Sequence, residues 1–128
     1  VDVAIEAKRR GMFVVGLTAL AHANASEARH EGGKKLHEVV DLVIDQQAPA
    51  GDSAVWLEGL NTPVAPLSSV TGCAIINLIK TEVARLLIEA GQPPLVLTAA
   101  CHIGAEEARS LFEATYDDYR RRVGVLYR

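Results

Sequence analysis

Hydrophobic positions along the chain fall into two alternating patterns: short unbroken apolar runs and longer stretches with helical spacing. Met12-Phe13-Val14-Val15-Gly16-Leu17 is a continuous run, as expected of a strand buried on both faces in a parallel sheet. Thr18 falls at its C-terminal end. Leu42-Val43-Ile44, Ala54-Val55-Trp56-Leu57 and Leu95-Val96-Leu97 read as further strands, with a short extended piece from Val64 to Pro66. Helical patterns lie between them. Residues 2–10 pair Glu6 with Arg10 at i,i+4, and Gly11 suits the C′ position. A short helix is expected over Lys34 to Val39 and the longest over about Ser69 to Ala90. In that longest helix Ile75, Ile76, Ile79, Val83, Leu86 and Leu87 share one face. Its first half is apolar almost all round and is expected to be buried. A final helix, about Ala105 to Val123, has Glu106 and Glu107 in its first turn and Arg120 to Arg122 in its last, matching the macrodipole. Residues 19–33 read as irregular, because Gly32-Gly33 argues against one continuous helix through to residue 39. Ala48 to Ser53 is a loop with turn chemistry. The alternation predicts an α/β fold with a parallel sheet flanked by helices on both faces.

Composition narrows the picture. The chain has 128 residues, 49% of them hydrophobic, and a net charge of −3. That suits one globular domain rather than a disordered segment, and makes a nucleic-acid partner an unfavoured reading. The dense basic spot at Arg120–Arg122 reads as a solvated helix end. Cys73 and Cys101 lie in apolar stretches and are expected to pack as small hydrophobes rather than form a disulfide framework. No uninterrupted apolar run is long enough to span a membrane, so the expected location is the cytoplasm. The chain lacks an initiator Met and reads as helix from its first residues, which raises the expectation of missing upstream residues.

Two segments could carry chemistry. Pro66-Leu67-Ser68-Ser69-Val70-Thr71-Gly72 places three hydroxyls where a loop enters a helix. Helix N-termini attract anions, and hydroxyls add donors for a phosphate; equally, Ser68 or Ser69 simply caps the helix. The second segment carries His22, Arg29, His30, Lys34 and Lys35 beyond a predicted strand end, where ligands of doubly wound sheets lie; its alternative is a solvated polar loop. Moving a proton between adjacent carbons needs a base, normally Glu or His. Glu58 is the carboxylate beside the hydroxyl-rich segment, although an exposed hairpin residue would look the same. Glu82, more than two turns into the long helix, reads as structural. Neither HExxH nor zinc-knuckle spacing is present, nor GxGxxG, Walker A or GxSxG. No metal or cofactor is expected.

Three stretches then resemble SIS (sugar isomerase) domain proteins, in particular a bacterial group similar to phosphoheptose isomerases. They are Val14 to Thr18 followed by His22; Arg29 to Glu38 running into Asp41 to Asp45; and Pro49-Ala50-Gly51-Asp52 with Glu58-Gly59 and the Pro66 to Gly72 segment. The resemblance implies the C-terminal portion of a single SIS domain, a flavodoxin-like three-layer sandwich incomplete at its N-terminus. It also implies phosphosugar binding at the strand ends and a homodimer or homotetramer whose sites are completed across an interface. Phosphoheptose isomerases carry a catalytic His on the helix matching residues 69–90; here that region has Asn77 and no His. The family's main Ser/Gly-rich phosphate loop normally precedes the opening helix.

The expected function is therefore phosphosugar binding, with aldose–ketose isomerisation as the expected reaction and a non-catalytic sugar-phosphate sensor as the alternative. Thr18, His22, Arg29, Lys34, Ser68, Ser69 and Thr71 are the expected ligand-binding residues. Glu58 or His30 is the expected proton shuttle.

Overall fold

Gly16 has no Cβ, and the geometry around it shows why. A Cβ there would stand 3.0 Å from both methyls of Val40 and 3.5 Å from Cγ of Leu36. The close approach of a helix to a strand at this point organises the first half of the chain. The computed structural model describes residues 1–125 and divides into two compact units, residues 1–80 and residues 81 onward.

In the first unit, α1 (Asp2–Arg9) ends as the sequence predicts. Gly11 takes φ +78°, its N–H reaches Lys8 O, and the Met12 N–H reaches Ala7 O. These two bonds form a Schellman closure. Glu6 holds both Arg9 and Arg10 at 2.7 Å. β1 (Val15–Thr18) and β2 (Leu42–Asp45) pair in parallel, with Thr18 opposite Asp45. β1 thus starts three residues later than its apolar run. α3 (Leu36–Val39) precedes β2, and Asp41 ties the layers together. Its carboxylate accepts the Val14 N–H at 2.8 Å and meets Lys8 Nζ at 2.9 Å.

Three expectations are corrected here. Part of the segment read as irregular, residues 19–33, is a helix, α2 (Leu20–Ala25). Its N-terminus is held by Asp45 Oδ1, which accepts the Leu20 N–H at 3.1 Å. The piece read as a third strand does not join the parallel pair: β3 (Ser53–Val55) and β4 (Val64–Pro66) form a separate antiparallel hairpin. The architecture is mixed α/β with one small parallel and one small antiparallel sheet. Burial of the first half of α4 (Ser68–Glu89) is also overturned. Val70 and Leu78 are 68% and 69% exposed, and no described residue of α4 is fully buried.

α4 ends on Gly91, at φ +70°, in a second Schellman closure. In the second unit, α5 (Ala100–Ile103) turns through Gly104, at φ +87°, into α6 (Ala105–Val123). Leu95 to Leu97 pair with no strand among the described residues, so the last predicted strand is absent there. Arg120, Arg121 and Arg122 pair with Asp117 and Asp118 on their own helix. Cys73 and Cys101 are free and exposed rather than packed in a core. No described helix is long and apolar enough to cross a membrane.

Because a Cβ at position 16 meets two methyls at once, Gly16→Val should destabilise the first unit by about 1–3 kcal/mol. Urea unfolding read by circular dichroism measures this; an unchanged midpoint would show that α3 can retreat freely.

Candidate functional site

The parallel pair ends at Thr18 and Asp45; the chain passes from β1 through Ala19 into α2, and from β2 into a loop. Beyond these carboxyl ends lie two adjoining cavities, of about 270 and 320 Å³, which share Thr18 and His22. Ala19, Gln46, Asp52 and Ser68 complete the first cavity, while Arg29, His30, Lys34 and Lys35 are among the residues lining the second. The hydroxyl-bearing start of α4 and the basic loop therefore border adjoining cavities, at the position expected of ligands in parallel α/β sheets.

Asp52 dominates the first cavity. Pro49-Ala50-Gly51-Asp52 is a tight turn closed by the Asp52 N–H on Pro49 O at 2.9 Å, with Gly51 at φ +85°. Glycine suits that left-handed corner. Asp52 follows at φ +71°, a conformation aspartate tolerates better than most residues. From there its Oδ1 accepts the Ser68 N–H at 2.7 Å and its Oδ2 accepts the Ser68 hydroxyl at 2.6 Å. The hydroxyl bond from Ser68 holds the Asp52 carboxyl below its ordinary range; burial opposes it, and the Ser68 and Leu67 N–H groups and the field of His22 add to the lowering.

This changes the roles predicted for the three hydroxyls. Ser68 is a residue through which the helix start is stapled to Asp52, and its proton is spent on that carboxylate. Thr71 Oγ1 lies 3.0 Å from Leu67 O and 3.3 Å from Gln46 Oε1, so its proton is also used internally. Ser69 is exposed and belongs to neither cavity lining. An anion at this helix mouth would face the Asp52 carboxylate at close range.

Glu58 is displaced from its predicted role as well. It occupies the turn closed by the Leu60 N–H on Leu57 O, with Gly59 at φ +87°, and lines neither cavity. His30 lines the second cavity with both ring nitrogens engaged: Nδ1 accepts the Gly32 N–H at 3.0 Å, and Nε2 lies 3.0 Å from Asp2 Oδ1. It fastens the basic loop to α1 and has no nitrogen left over for a proton transfer. His22 likewise accepts the Gly51 N–H on Nδ1 at 2.9 Å. Lys35 donates to Ala23 O at 2.6 Å. Arg29 and Lys34, by contrast, form no ion pair with any described residue. Glu82 is bound by Arg85 at 2.9 Å, in keeping with a structural role. Sequence reasoning missed Asp52 and Gln46 as cavity residues; the Gly51-Asp52 turn was the available signal.

A larger cavity of about 540 Å³ lies in the second unit, between Leu87, Pro94, Thr115 and Tyr119. Its charged groups, Asp118 and Arg122, already pair at 2.7 Å, so it presents less free chemistry than the strand-end cavities. Among the described residues no group of three or more His, Cys, Asp or Glu side chains is arranged to hold a metal ion.

Fold and site together define a mixed α/β unit with a divided polar crevice at the ends of a parallel strand pair. One compartment carries Asp52, the other Glu27 together with Arg29 and Lys34, two cations that form no ion pair among the described residues. Against known proteins, the chain is similar to the UPF0309 protein of Geobacillus thermodenitrificans, 35% identical over 126 residues, which are 98% of this chain and 49% of that protein. A UPF0309 protein of Shouchella clausii is 41% identical over 100 residues, 78% of this chain and 41% of that one. One from Listeria monocytogenes is 31% identical over 126 residues, 98% and 50% of the two chains. The chain spans about half the length of the curated relatives it matches. No protein-family model matches it.

The depressed pKa of Asp52 gives a test of its structural role. A carboxylate with a lowered folded-state pKa contributes stability above its unfolded value, about pH 4, and loses it as pH falls through the folded value. Asp52→Asn should therefore lower the urea midpoint at neutral pH, with the gap to wild type closing on acidification below about pH 4. A gap independent of pH would mean that the carboxylate charge does not hold the start of α4.

Proposed function

We propose that the chain is the C-terminal portion of a SIS-type phosphosugar-binding domain, in which the ligand's phosphate sits at Arg29 and Lys34 and its hydroxyls meet the Asp52 compartment. The observation that carries this reading is the division of charge in the crevice. Three cations, Arg29, Lys34 and Lys35, outnumber the single carboxylate Glu27 in one half, an ionised carboxylate and a glutamine amide line the other, and the Thr18 hydroxyl is common to both. A phosphomonoester of a polyol is complementary to that division: guanidinium and ammonium groups bind the phosphate, and a carboxylate accepts hydrogen bonds from hydroxyls. Asp52 at the α4 N-terminus moves the phosphate away from Ser68, Ser69 and Thr71, where the sequence alone places it.

In this reading β1 and β2 belong to a parallel sheet with helices on both faces, the three-layer SIS arrangement. The exposed apolar side chains of α4 are then covered by further layers or by the second subunit of a homodimer or homotetramer. The proposed setting is the cytoplasm.

Binding without proton transfer, as in a sugar-phosphate sensor, suits the crevice better than isomerisation by its own residues. The ring nitrogens of His30 are both engaged, Asp52 is a weakened base, and Glu58 lies outside both cavities. Isomerisation keeps the support of the resemblance and requires a base from a neighbouring subunit.

A thermal-shift screen with sugar phosphates, run beside an aldose–ketose turnover assay, tests the reading. A bound phosphosugar at 100 times its Kd should stabilise the protein by about 2.7 kcal/mol. Arg29→Ala and Lys34→Ala should each abolish most of that shift, and Ser69→Ala should leave it intact. Stabilisation without turnover supports the sensor, and product formation supports the isomerase. No shift with any sugar phosphate would reject both.

A further inference from the structure

His22 is the one ionisable side chain common to both compartments, and its tautomer can be read from its surroundings. A backbone N–H can only donate. The Gly51 N–H lies 2.9 Å from His22 Nδ1, so Nδ1 carries a lone pair in this contact and the hydrogen of the neutral ring resides on Nε2. The contact is anchored at both ends. Gly51 is fixed at φ +85° by the turn that Asp52 closes on Pro49 O. His22 lies within α2, and its own carbonyl accepts the Ser26 hydroxyl at 2.8 Å. Asp45 holds the start of that helix.

We infer that His22 is a positioning and specificity residue that presents a single Nε2–H donor at the junction of the two compartments and does not act there as a base. This rests on the phosphosugar reading for its ligand, though not for its tautomer. With phosphate at Arg29 and Lys34 and hydroxyls at Asp52, the junction is where the sugar carbon nearest the ester would lie. A fixed donor there selects a ligand that offers an oxygen acceptor, such as a carbonyl or ring oxygen, at that carbon. It disfavours a deoxy analogue, which would leave the N–H unpaired. The turn that fixes the donor also carries Asp52, so one loop sets both the acceptor and the donor of the polyol compartment.

Two amide substitutions separate the halves of this claim. The Asn side-chain oxygen can replace Nδ1 as acceptor for Gly51 but offers nothing at the Nε2 position. The longer Gln side chain can place a donor near the Nε2 position and gives up the Gly51 contact. Long-range ¹H–¹⁵N correlation spectra of the ligand-free protein at mildly alkaline pH should show His22 as the Nε2–H tautomer. The Nδ1–H form, or an equal mixture, would overturn the inference whether or not any sugar binds. With fructose 6-phosphate as the probe, His22→Asn should fold as wild type and bind about tenfold more weakly, the effect of one lost hydrogen bond. His22→Gln should bind more tightly than His22→Asn. The reverse order, or no loss in His22→Asn, would overturn the donor role. Failure of wild type to bind fructose 6-phosphate or any other sugar phosphate, with the Nε2–H tautomer intact, would instead contradict the phosphosugar reading and leave the tautomer assignment standing.

Discussion

Asp52 accepts both the N–H and the hydroxyl of Ser68, at 2.7 and 2.6 Å, and so places a negative charge at the start of a helix of 22 residues. The N-terminus of such a helix bears unsatisfied donors and a positive dipole end, and something must answer them. In many anion sites the ligand does so. Here the protein supplies its own carboxylate from a turn 16 positions upstream. Everything proposed about the crevice follows from that substitution: a ligand phosphate has to go to Arg29 and Lys34, and the compartment beside α4 is left to neutral polar groups.

Asp52 belongs to a set of three. Asp41 holds the backbone at the approach to β1, Asp45 holds the start of α2, and Asp52 holds the start of α4. Each satisfies an N–H belonging to a segment distant in sequence, which is the usual requirement for polar backbone groups away from regular ladders. Asp45 closes β2 and Asp52 lies in the turn beyond it, so both hold backbone beside the cavities. The same turn brings the Gly51 N–H to His22.

Local signals were legible in the sequence and long-range ones were not. The span of α1, its glycine closure, β2, the length of α4 and the charged ends of α6 were all written in neighbouring residues. α2 escaped notice because its N-cap, Ala19, has no capping side chain and the acceptor for Leu20 comes from Asp45. Leu95 to Leu97 have the composition of a strand, yet a strand requires a neighbour, and none pairs with them among the described residues. At the site, the basic loop and its approach to the start of α4 were anticipated. The identity of the group occupying that helix start was not, since Ser68 reads the same whether it faces a phosphate or an aspartate. Glu58 sits between the two strands of the hairpin, which is the alternative that its neighbours in sequence already offered.

The division of charge in the crevice is best tested by locating phosphorus directly. A crystal structure of the protein soaked with glucose 6-phosphate should place the phosphate against Arg29 and Lys34, with Asp52 still bonded to Ser68. Phosphate seated on the Ser68 to Thr71 backbone, with Asp52 displaced, would contradict the account.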